Sequence, residues 1–239
     1  MKLEYAGLSE SGPVRPLNED AVLMCASPDA GLFLVADGVG GRASGEVVSG
    51  RIRDAYRQWW QTAFLPSSGK LNFPDALKEI QDTLLRVNRE LVQQFGEMNA
   101  GSTLALLFLY RGNCACISAG DSRAYRIRGF GLKQITQDDA YQAEDAAHAA
   151  QNGKLTSAVG IRTSLQFNLR TDALRERDCF FLCSDGIYRY VRPNVLRRRL
   201  CFGGTFQNPE RIVGNLKRDV LKNGAGDNYS AVFIRVRKA

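Results

Sequence analysis

An α+β layered domain is predicted, and three observations predict it. Eight short runs carry strand-like apolar residues, and two longer segments repeat apolar residues at helical spacing. The strands cluster before and after the helical pair with no regular βαβ alternation, which disfavours a doubly wound parallel sheet. Taken in order, Leu3–Leu8, Ala21–Ala26 and Leu32–Ala36 read as strands. Val48, Ile52, Tyr56, Trp59 and Ala63 then share one helical face, and Leu65–Gly69 reads as a short loop. Pro74, a good first-turn residue, opens a second helix whose stripe is Leu77, Ile80, Leu84, Val87 and Leu91, with Gly96 as its stop. Ser102–Tyr110 and Cys114–Ala119 form a hairpin across Arg111-Gly112-Asn113, and Arg123–Ile127, Cys179–Cys183 and Ser230–Val236 complete the strands. Pro193 starts a further helix, expected to bury Val195, Leu196 and Leu200 and to leave Arg197, Arg198 and Arg199 partly in solvent. No linker or repeat divides residues 1–239, so one domain is expected.

Composition narrows the chemistry. The chain has 44% hydrophobic and 24% charged residues, ordinary for a globular protein. Its start lacks the apolar run of a signal peptide, and Leu104–Tyr110 is too short to span a bilayer, so a cytoplasmic, membrane-free protein is expected. The six cysteines form no Cys-x-x-Cys pair, and His148 is the one histidine. A zinc site and a Ser-His-Asp or Cys-His hydrolase are both disfavoured, and reduced buried thiols are expected. The net charge is +7, with 32 Lys and Arg against 25 Asp and Glu. Arg189, Arg192 and Arg197–Arg199 suit a solvated helix face or a docking surface for acidic partners. No motif supports nucleic-acid binding.

The acids stand in a pattern. Leu32–Ala36 ends in Asp37-Gly38, and Cys179–Ser184 ends in Asp185-Gly186, so each apolar strand delivers a carboxylate at its tip beside a glycine suited to a sharp turn. Gly120-Asp121-Ser122, Gly226-Asp227-Asn228 and Asn18-Glu19-Asp20 place further acids next to strands. Singly, each is an ordinary turn carboxylate. Gathered together they would repel one another unless cations lay between them, and hard oxygen ligands suit Mg²⁺ or Mn²⁺.

These segments resemble the PPM (PP2C-type) protein phosphatases of bacteria. Arg15–Asp20, Val35–Gly41 and Gly45-Glu46 look like the family's opening motifs. Gly101-Ser102-Thr103, Ala119–Arg123, Cys183–Gly186 and Gly226–Ser230 follow in the family's order, so the likeness runs from about Arg15 to Val236. It implies a four-layer α/β/β/α sandwich, a central antiparallel β-sandwich flanked by helical pairs, with the site at one end. The implied activity is metal-dependent hydrolysis of phosphoserine and phosphothreonine in proteins by a water activated between two Mn²⁺ or Mg²⁺ ions.

The resemblance also implies roles. Asp37 bridges two metals, and the Gly38 carbonyl completes one shell. Asp185 and Asp227 ligate one ion, Glu19 and Asp20 support the other, and Asp121 holds a third, weaker ion. Arg15 grips the substrate phosphate, its planar fork matching two oxygens, and Asn228 orients the ligand turn. Departures occur at Val39 and Arg42, where members carry histidine, and a water is then expected to protonate the leaving group. Asp138-Asp139-Ala140 and the early Leu155–Gly160 imply a shortened flap. The implied partners are phosphoproteins and an opposing Ser/Thr kinase, in some relatives within a secretion system. A catalytically silent phosphoprotein-binding module is the alternative.

Overall fold

In a computed structural model, residues 1–40, 44–141 and 154–237 are described. Gly41, Arg42, His148 and the flap residues 142–153 lie outside the described residues.

Two antiparallel sheets carry the structure. One runs β1 (Lys2–Glu10), β11 (Tyr229–Arg237), β10 (Cys179–Cys183), β7 (Arg123–Arg128) and β8 (Gly131–Gln134). The other runs β2 (Asp20–Ser27), β3 (Ala30–Val39), β5 (Leu104–Tyr110), β6 (Asn113–Ala119) and β9 (Asn168–Ala173), with β4 (Gly101–Ser102) paired to β3. Helices α1 (Gly45–Trp59) and α2 (Phe73–Phe95) cover one outer face, and α4 (Pro193–Phe206) and α5 (Pro209–Lys222) cover the other. A short α3 (Asp185–Tyr188) follows β10.

Sheets buried on both faces explain the unbroken apolar runs of the sequence. In β3, Leu32, Leu34 and Ala36 join the core under α1 and α2, while Phe33 and Val35 join the core between the sheets. In β10 and β11, Phe181 and Phe233 meet the α4–α5 side, and Phe180, Val232 and Ile234 face the opposite sheet. The expected four-layer sandwich is therefore present.

Several local expectations are corrected. Leu65–Gly69 is not a plain loop: α1 continues through a π-helical turn, Trp60–Phe64, and a last helical turn, Leu65–Ser67. The wider turn shifts the buried face, so Trp60 and Phe64 are fully packed while Ala63 is only partly so. Phe64 then meets Phe108 and Tyr110 edge-on at 5.5 and 5.1 Å. Ser102–Tyr110 is not one strand, because it breaks at Thr103, whose N–H donates to the Asp37 carbonyl at 2.9 Å. The helix from Pro193 reaches Phe206 and buries Leu196 and Leu200, with Val195 only partly buried; Arg199 is partly exposed as expected, but it is paired. Its guanidinium forms a fork with Asp219 of α5 at 2.8 and 3.0 Å, pinning the two helices together. Arg197 and Arg198 remain exposed.

Candidate metal centre

Antiparallel pairing brings the acids to one end of the sandwich. Asp20 begins β2 and lies opposite Asp37 near the end of β3. Asp185 follows the end of β10, Asp227 precedes the start of β11, and Asp121 lies between β6 and β7. Strand ends of both sheets thus meet around a cleft of about 270 Å³ lined by Arg15, Glu19, Asp37, Gly38, Asp121, Asp185, Arg189, Asp227 and Asn228. Asp20 is not a lining residue; it is buried behind the cleft, with its Oδ2 accepting from Ser184 Oγ at 2.7 Å.

The two Asp-Gly pairs differ from each other and from the expected turns. Asp37-Gly38 lies within β3, whereas Asp185-Gly186 opens α3. Neither glycine is there for a left-handed backbone, since neither has positive φ. A Cβ on Gly38 would stand 2.3 Å from the Gly45 carbonyl oxygen and 2.7 Å from that of Glu19. On Gly186 it would stand 1.9 Å from the Asn228 carbonyl oxygen. Both glycines permit close approach of backbone at the cleft.

The backbone of the site is tied by its own polar groups. The Gly38 N–H donates to the Glu19 carbonyl at 3.0 Å, and the Asp37 N–H donates to Thr103 Oγ1 at 3.0 Å. Asn228 clamps the segment bearing Arg15 and Glu19. Its Oδ1 accepts from the Glu19 N–H at 2.9 Å, and its Nδ2 donates to the Leu17 carbonyl at 2.8 Å and the Ser11 carbonyl at 3.0 Å. Asn228, expected to orient its own ligand turn, has its side chain tying that turn to the 11–19 segment.

The electrostatics are those of crowded acids. Burial, then the charge of Asp20, pushes Asp37 well above the usual carboxylate range, although its edge reaches the cleft. Burial raises Asp20 to about 7 and Asp185 to about 6. Burial, followed by the neighbouring Glu46, raises Glu19. Two buried carboxylate oxygens, Asp20 Oδ1 and Glu46 Oε2, have no hydrogen-bond partner among the described residues. Unpaired buried acceptors and mutually repelling carboxylates fit hard divalent cations.

Among the described residues no three carboxylates close on one point as a finished cage. Two arginines stand among them. Arg15 meets Asp227 through Nε at 3.0 Å and Nη2 at 3.1 Å. Arg189 Nη2 lies 3.1 Å from Asp185 Oδ2 and 3.5 Å from Asp121 Oδ2. The Tyr188 hydroxyl also donates to Asp121 Oδ2 at 3.1 Å. Asp138 and Asp139, which lead into the flap, buttress this corner. Asp138 holds Arg123 in a fork, and Asp139 Oδ2 accepts from the Gly120 N–H at 3.2 Å.

Sequence reasoning missed Arg189 as a cleft-lining group, and Glu46 and Tyr188 as neighbours of the cleft acids Glu19 and Asp121. Arg189 had a usable signal: it stands four residues after Asp185, where one helical turn brings opposite charges together.

Comparisons with known proteins find relatives of this sequence and this fold. A family profile described as protein phosphatase 2C matches residues 15–218. A putative protein phosphatase of Mycoplasma pneumoniae is 27% identical over 98% of this chain and 96% of its own length. The serine/threonine protein phosphatase PstP of Mycobacterium tuberculosis is 27% identical over 98% of this chain and 45% of its own length. The solved catalytic domain of PstP in complex with two manganese ions superposes with a TM-score of 0.80 at 25% identity, covering 99% of each chain. PppA, described as a key regulatory component of T6SS in Pseudomonas aeruginosa, gives a TM-score of 0.83 at 34% identity over 98% of each chain.

Proposed function

Because this chain belongs to the protein phosphatase 2C family, we propose that its acidic cleft hydrolyses phosphoserine and phosphothreonine monoesters in proteins. It is a metal-dependent serine/threonine phosphatase. The observation that carries the reading is the convergence of Asp37, Asp185, Asp227 and Glu19, each from a different strand end, on one cleft. Asp37, the Gly38 carbonyl, Asp185 and Asp227 would hold the ions, with Glu19 and the buried Asp20 supporting them. When bound, Mn²⁺ or Mg²⁺ supplies Lewis acidity to a water nucleophile and to the phosphoryl oxygens.

The chain's own groups do the positioning. Arg15 is about half exposed at the cleft mouth, so its fork can leave Asp227 for two phosphate oxygens. Asn228 keeps Arg15 and Glu19 at a fixed offset from the Asp227 turn. Val39, two residues after Asp37, has no proton to give, and in this reading proton delivery to the leaving oxygen is assigned to water. The likeness to PppA supports a regulatory role in a secretion system of the T6SS kind; an opposing Ser/Thr kinase is part of the proposal.

The test is turnover of a phosphopeptide by metal-stripped protein with and without Mn²⁺, repeated with Asp37→Asn. Activity that depends on Mn²⁺ and falls at least ~10²-fold in the variant is expected, since the ligand to the ions is lost. Near wild-type kcat in folded Asp37→Asn with excess Mn²⁺ would sink the reading.

A further inference from the structure

We infer that Arg189 stands where a third divalent cation would otherwise be held, so that this phosphatase works with two ions and a built-in positive charge beside Asp121. The inference rests on the two-ion reading of the cleft proposed above.

The arrangement is built, not incidental. Arg189 is delivered by α3 itself, four residues after Asp185, and its Nη2 reaches both Asp185 Oδ2 at 3.1 Å and Asp121 Oδ2 at 3.5 Å. One guanidinium nitrogen therefore lies between Asp121, the carboxylate that the resemblance assigns to a third ion, and Asp185 of the two-ion centre. Asp121 Oδ2 is further engaged by the Tyr188 hydroxyl, which also donates to the Asp121 carbonyl at 3.1 Å. The oxygen that would ligate a cation thus faces two hydrogen-bond donors.

Tyr188 is itself held in place. The Arg123 guanidinium lies over its ring at 3.6 Å from the centroid, and Asp138 fixes Arg123 through Nε at 3.0 Å and Nη2 at 2.6 Å. Such a stack restrains both the ring and the hydroxyl. Asp121 is buried, so its charge needs a partner, and Arg189 supplies one. A divalent ion entering this corner would meet the guanidinium's like charge at close range and would have to displace it. The third ion implied by the resemblance therefore does not fit this chain.

The test counts ions, not turnover. The full chain is stripped with chelator and titrated with Mn²⁺ alone, with bound and free ion distinguished by electron paramagnetic resonance and by calorimetry. Wild type is expected to saturate at two ions and Arg189→Ala at three. Adding Asp121→Asn to Arg189→Ala should weaken the third ion more than tenfold. Arg189→Met, which keeps the aliphatic stem, serves if circular dichroism shows that the alanine variant is unfolded. Three ions on wild type, or two on wild type and on both Arg189 variants, overturn the inference while leaving the two-ion centre standing. A higher KM for phosphopeptide with unchanged stoichiometry also overturns it, because Arg189 would then be a substrate contact. Fewer than two ions on wild type defeats the two-ion centre and this inference together.

Discussion

Asp20→Asn should stabilise the metal-free protein at alkaline pH. Asp20 is buried behind the cleft, accepts from Ser184 at one oxygen and leaves the other without a partner among the described residues. Burial raises its carboxyl from 3.8 to about 7. The native state therefore holds a proton that the unfolded chain has already released, and stability falls as pH rises through that interval. At 1.36 kcal/mol per pH unit, the ceiling on the cost of ionising Asp20 in the fold is roughly 4 kcal/mol. Side-chain movement and water entry lower the realised value, so about 2–4 kcal/mol is expected at pH 8. For a chain of this size that corresponds to roughly 4–16 °C in Tm. The assay is thermal or urea unfolding of wild type and Asp20→Asn in chelator at pH 4.5 and pH 8. The variant should gain under about 1 kcal/mol at pH 4.5 and the full amount at pH 8. Excess Mn²⁺ should narrow or invert the gap, because cations bind the ionised carboxylate. A variant no more stable than wild type at pH 8 in chelator would show that Asp20 ionises without penalty, and the electrostatic reasoning for the site would fail.

Three further outcomes are expected. Gly38→Ala forces a Cβ against the backbone oxygens of Gly45 and Glu19, so Mn²⁺ affinity and kcat/KM should both fall, the latter by ~10²-fold; normal calorimetric Mn²⁺ binding would contradict this. Arg199→Glu should destabilise the protein by about 1–2 kcal/mol through the loss of its partly buried fork with Asp219 and the like charge put beside it, whereas Arg198→Glu should stay within roughly 0.5 kcal/mol, as measured by urea unfolding. Burial raises Cys114 to about 11 and Cys116 to about 12, so both stay protonated at neutral pH and lack the reactive thiolate. Mild alkylation of the native protein should therefore reach neither thiol and leave phosphatase activity intact, whereas rapid substrate-protected inactivation at one cysteine would oppose a water nucleophile.

Much of the fold was legible because its signals are local. Strands buried on both faces must be apolar throughout, and Leu32–Ala36, Leu104–Tyr110 and Cys179–Cys183 are. The long stripe of α2 and its Pro74 start were equally clear. β8 and β9 were missed because edge strands half in solvent lose the apolar pattern, as the exposed run Leu169–Ala173 shows. The helix α5 was legible and overlooked: Asn208 accepts from the Arg211 N–H as its cap, and Ile212, Leu216 and Val220 follow at helical spacing.

The sequence by itself determined which chemistry was available: a supply of aspartates at strand ends, most with a glycine neighbour, and one histidine, His148, outside those motifs. Which carboxylates meet was decided by strand pairing, which sets Asp20 opposite Asp37 and brings β10 and β11 to the same end. Only tertiary structure sorted the arginines. Arg189 turns into the cleft because α3 carries it one turn past Asp185, and Arg199 turns onto Asp219 because α4 packs on α5. Charge along a chain has no direction until neighbouring elements decide which side of each helix is buried. The two glycines show the same limit: their close contacts are with Gly45, Glu19 and Asn228, residues brought to them by folding and not by sequence proximity.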